Sequence, residues 1–126
     1  MTSDTEQASD RPAVDAAQRA SEAWGEAVRL QRWADHPRHA EFYALAGEMV
    51  DTMRELSDLV SILRAQVREY GTTEGIYDDT RTVEPSTRLA YADDALDTLG
   101  HALTMADRAG NEFWSAIGHI GVEDAP

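Results

Sequence analysis

Cysteine is missing from all 126 residues. That removes disulfides, thiolate nucleophiles and cysteine–zinc sites together, and fits a reducing compartment. Lysine is missing too: the 11 basic side chains are all arginine, and they do not cluster. Against them stand 24 acids, for a net charge of −13. A nucleic-acid backbone needs cations to neutralise its phosphates, so this balance argues against such a partner, and likewise against an anionic membrane surface. No apolar run is long enough to span a bilayer, and no basic segment leading into an apolar one opens the chain. A soluble, cytoplasmic protein is expected. Serine elbows and glycine-rich phosphate loops are also lacking, so nucleophilic or phosphate chemistry has no motif to rest on.

What the chain has instead is heptad order. Apolar or small residues recur at Phe42, Ala46, Met49, Met53, Leu56, Val60, Leu63, Val67 and Tyr70, in alternating steps of four and three. Such a seam predicts a helix of about 29 residues, roughly 43 Å long. A second seam runs through Leu89, Ala92, Leu96, Leu99, Leu103, Ala106, Gly110, Phe113, Ile117 and Ile120. Folded back antiparallel, with paired residue numbers adding to 159, the two seams meet layer for layer. Ala46 then faces Phe113, Met49 faces Gly110, and Val60 faces Leu99. Bulky residues oppose slight ones in several layers, as near-crystalline core density demands.

The remaining segments fill in around this hairpin. Residues 1–11 are polar, aperiodic and predicted to be a disordered acidic tail. Pro12 suits the first turn of a helix, with Asp10 as candidate cap. An alanine-rich helix follows to about residue 35, and a chain so poor in bulky residues there is expected to dock on a neighbour. The alanines Ala95, Ala102, Ala109 and Ala116, one heptad apart beside the second seam, would let a helix approach closely. Pro37 breaks the chain and Pro85 opens the third helix. Gly71 is read as the residue that ends the second helix. Residues 122–126 form a short acidic tail. The expected fold is all-α: an antiparallel three-helix bundle built on a long hairpin, with helices about 12–35, 38–70 and 85–118 in a single domain over 12–121.

Candidate chemistry is thin. The acids Glu48, Asp51, Glu55 and Asp58, with Asp93, Asp94 and Asp97, fall mostly away from the seams, where a bundle metal site needs them turned inward. The glutamate-pair motifs of all-α nucleotide pyrophosphohydrolases are absent. So is the hairpin-turn tryptophan of small secreted Trp-x-Gly proteins, since Trp24-Gly25 falls inside the first helix. His36, His39 and His119 gather near one end without forming a convergent ligand set, and His101 lies apart. No catalytic residue, metal or cofactor is expected. A candidate ligand slot is lined by Trp24, Met49, Met53, Ala106 and Gly110. The loop 71–84 mixes Tyr77, Asp78, Asp79 and Arg81, and loops carry function disproportionately.

The leading expectation is a non-catalytic protein-interaction or scaffolding module that pairs with itself or another protein. Its contact surface would lie at the far end of the hairpin, at Leu59, Ile62, Ile76, Tyr77 and Tyr91. Two alternatives are an acidic decoy for a nucleic-acid-binding protein and a carboxylate- or metal-dependent small-molecule enzyme.

Overall fold

The computed structural model describes residues 9–73 and 75–123. The expected tail thus lies outside the described residues up to position 8, as does the C-terminal tail beyond 123. Three helices are present: α1 (Pro12–Arg32), α2 (His39–Thr73) and α3 (Pro85–Gly118). The fold is all-α, as the heptads required. The chain divides after Pro37 into two compact units, each described by itself.

In the first unit, Pro12 opens α1, where a missing N–H costs nothing. Asp10 is not the cap. Arg11 holds that position without a side-chain bond to the helix, and its own N–H donates to Ser9 Oγ. Asp15 in the first turn and Arg29 and Arg32 in the last complement the helix dipole. The helix stops at Arg32, about three residues early, and the chain then turns through His36 at a left-handed φ of 53° ahead of Pro37. The Gln31 carbonyl accepts from the Ala34 N–H to close the last turn.

In the second unit α2 and α3 pack antiparallel along their length. Helix α3 has the expected bounds, but α2 runs through Gly71 to Thr73. Gly71 therefore does not end the helix. It lies inside it, where an added β-carbon would stand 2.8 Å from Leu89 Cδ1. Close approach, not a left-handed turn, is what glycine allows here.

The register is one to two residues away from the expected one. Gly100 faces Val60 and Gly71 faces Leu89, pairs adding to 160, while Gly47 faces Trp114 and Arg54 pairs with Asp107, adding to 161. The phase of the seam also differs. Ala46, Val50 and Val60 are the buried apolar residues of α2 among those described, and Val50 rather than Met49 points inward at 1 % exposure. Half of each expected seam survives: Ala46, Met53, Val60 and Val67 on α2, and Leu89, Leu96, Leu103, Gly110 and Ile117 on α3 are buried or half-buried. The other half is displaced by one residue. Val50, Ser57 and Arg64 replace Met49, Leu56 and Leu63, and Asp93, Gly100 and Trp114 replace Ala92, Leu99 and Phe113. Each residue advances about 100°, so both helices are turned roughly 50° from the expected contact line.

Candidate functional site: two unlike faces of the hairpin

Turning both helices the same way gives the hairpin two different long sides. One side is polar and closed by charge. Arg64 grips Asp93 with two bonds, Nε to Oδ1 at 3.0 Å and Nη2 to Oδ2 at 3.2 Å, and reaches Asp97 through Nη1 at 2.7 Å. Arg68 adds a third bond to Asp93 at 3.1 Å. Towards the opposite end, Arg54 donates to Asp107 at 3.2 Å. The hydrogen bonds from Arg64 and then Arg68 lower the Asp93 pKa to about 2, and the Arg64 pKa is raised by its bond to Asp93. The carboxylates considered for metal binding on α3 are thus engaged by arginines at Asp93 and Asp97. Among the described residues no three acids or histidines stand close enough to hold a metal ion.

The other side is apolar and open. Met49, Leu56, Leu63 and Tyr70 on α2, with Leu99 and Phe113 on α3, are each about half exposed. These are the residues that the simple heptad reading buried, so that expectation is corrected: they face away from the contact line on a common side. Beyond them on α3 lie Ala95, Ala102, Ala109 and Ala116, all exposed. Neither column that α2 turns to this side holds a charge, whether stepped by sevens from Met49 to Tyr70 or from Leu45 to Gln66. The α3 columns from Ala92 to Ile120 and from Ala95 to Ala116 hold none either. In a chain with 24 acids, an acid-free side of this extent is a contiguous apolar patch set against an otherwise charged surface.

The sequence-derived surface residues separate on this frame. Leu59 borders the apolar side at 42 % exposure, whereas Ile62 and Tyr91 stand on the backs of their helices at 52 % and 78 %. Ile76 is half-buried and flanks the same cavity as Tyr70 and Leu89. Tyr77 is exposed and carries the Arg81 guanidinium 4.3 Å from its ring centre. Of the candidate slot, Met53 fills the ground in front of Gly110, its Cε 2.9 Å from where a β-carbon would be, with Val50 Cγ2 at 3.0 Å. Ala106 is half-buried, Met49 belongs to the open side, and Trp24 belongs to the first unit.

The loop is organised from within, by Asp78. Its carboxylate is 7 % exposed as a residue and accepts from the Thr80 N–H, the Thr80 hydroxyl and the Thr82 N–H. On its other oxygen it accepts from Arg88 Nε at 2.6 Å, which ties the loop to the first turn of α3. The Thr80 hydroxyl, then Arg88, hold this carboxyl well below the usual carboxylate range. Arg81 takes a left-handed φ of 56° as the chain turns. At the opposite end of the hairpin His39 and His119 line one concavity with Tyr43 and Trp114. Trp114 rests on Gly47 and packs at a tilt against Tyr43, ring centres 5.3 Å apart.

No protein-family model, curated protein or solved structure matches this chain. Among the described residues no helix is long and apolar enough to cross a membrane.

Proposed function

We infer that the protein is a non-catalytic interaction module of the cytoplasm that works by burying the open apolar side of its hairpin against another protein surface. The observation that carries this reading is the pairing of two opposite sides on one hairpin. The charged side satisfies itself through Arg64, Arg68 and Arg54, whereas on the other side Leu56, Leu63 and Leu99 stay 44 %, 37 % and 47 % exposed. Patches of that kind on soluble proteins mark contact sites, and helix pairs bury them by adding further helices.

The test is capture on the tagged full chain from native lysate, with an untagged copy co-expressed. Wild type is compared with Leu56→Glu/Leu63→Glu. The reading expects a retained protein, self or other, that survives high salt and is lost from the variant. Retention that is equal on both baits, or no retention at all, sinks it. Retention that vanishes with salt and ignores the variant would instead favour the acidic-decoy alternative, because exposed charge contacts are screened.

A further inference from the structure

We propose that the surface covering the apolar side is a second copy of this chain, related by a two-fold axis parallel to the hairpin, so that α2 of each copy lies on α3 of the other. The proposal rests on the interaction-module reading and names its partner and geometry. Size is the first argument. Six bulky side chains on this side, flanked by Leu59 and Ile120, are each about half exposed. Aromatic and large aliphatic side chains bury on the order of 150 Å² each, so the side offers on the order of 600 Å² per copy before its alanines are counted. Two copies together then reach the roughly 1,200 Å² at which specific interfaces begin.

Shape is the second argument, and it selects the axis. On this side the inner columns of both helices carry bulky residues, but the outer column of α2 is a ridge of Leu45, Thr52, Leu59 and Gln66, while the outer column of α3 is a strip of four alanines. Setting α2 on α3 of the other copy places each ridge in an alanine groove, at 8–10 Å helix spacing. The perpendicular two-fold would set ridge on ridge and groove on groove, leaving clashes beside voids. Charge is the third argument. At −13 per copy, like chains repel wherever acids meet, and the four uncharged columns are where two copies can touch without that cost. The product is an all-antiparallel four-helix bundle of common form. In it the loops of both copies lie at the same end, and Leu59 sits level with Ala102 of the other copy.

Sedimentation of the full chain, over a tenfold range of concentration, should give twice 13.9 kDa. Ala102→Glu introduces a good helix former at an exposed position and should give a folded 13.9 kDa monomer; so should Leu56→Glu/Leu63→Glu. Because the chain lacks cysteine, geometry can be read from single replacements. A spin label at Asp79→Cys should report a copy-to-copy distance well short of the hairpin length, roughly 50 Å. Mixed Leu59→Cys and Ala102→Cys chains should cross-link as the heteropair. A wild-type monomer overturns the proposal, and the capture experiment then decides separately whether the interaction-module reading stands. A dimer unaffected by Ala102→Glu, or one with labels a full hairpin length apart, overturns it as well.

Discussion

A β-carbon added at Gly100 would stand 3.5 Å from Val60 Cγ1, an ordinary contact, so Gly100→Ala gains helix propensity at no steric cost. The expected gain is about 0.8 kcal/mol in urea titration. At Gly110 the same carbon would stand 2.9 Å from Met53 Cε and 3.0 Å from Val50 Cγ2. The methionine end can swing aside, but Val50 is the best-buried side chain described, and crowding of this kind costs about 1–3 kcal/mol. Gly110→Ala is therefore expected to lose about 1 kcal/mol net. Equal stabilisation by the two alanines would refute the close helix approach at Gly110. Trp114 gives a second contrast. Its indole N–H is buried with no acceptor among the described residues, and such a group costs free energy that phenylalanine does not incur. Trp114→Phe should stay within about 1 kcal/mol of wild type, while Trp114→Ala, which also empties the space over Gly47, should lose about 3–5 kcal/mol.

At the scale of the elements, the clasp of Arg64 and Arg68 on Asp93 behaves as one unit. Arg64 and Asp93 share two bonds, so Arg64→Gln and Asp93→Asn should each lower the melting temperature, and the double variant should fall short of the sum of the two singles. Additive shifts in this double-mutant cycle would mean that Arg64 and Asp93 act independently. The clasp also explains what the sequence did and did not disclose. Helix number, order, the antiparallel pairing and the Pro85 start were legible, because heptad spacing and proline act locally. Phase was not, because the apolar stripe of α2 takes in Met49, Leu56 and Leu63 as well as Ala46, Val50, Val60 and Val67, and a stripe that wide has room for two contacts. Assigning one seam to one contact put Leu63 inside and Arg64 out. The signals that point the other way are in the sequence: Gly47, Gly100 and Gly71 sit on the observed contact line, and Arg54 and Arg64 fall opposite Asp107 and Asp97 in one register. The ordering of the loop by Asp78 was hidden, since its partner Arg88 is ten residues away on another element.

The whole molecule sets two electrostatic effects against each other as pH falls. With a net charge of −13 and an isoelectric point near 4.5, acidification from neutrality first removes self-repulsion, which stabilises the compact state. Asp93 acts in the opposite sense. Its folded pKa is about 2 against an ordinary 3.8. Its contribution is therefore complete above about pH 4 and disappears as pH falls towards 2, because the unfolded chain takes up the proton first. Asp78, also held low, withdraws its contribution over the same acid limb. Thermal melts should accordingly show stability rising from pH 7 to a maximum near pH 4–5, then falling steeply below about pH 4. Added salt, roughly 0.5 M, should raise stability at pH 7 and lift it little at the maximum, where the charge to be screened is already small. Asp93→Asn should flatten the acid limb and leave the rise above it intact. A monotonic loss from pH 7 downward would mean that the surface carboxylates are held in attractive contacts, and the acid-free apolar side would lose its standing as the place where like chains meet.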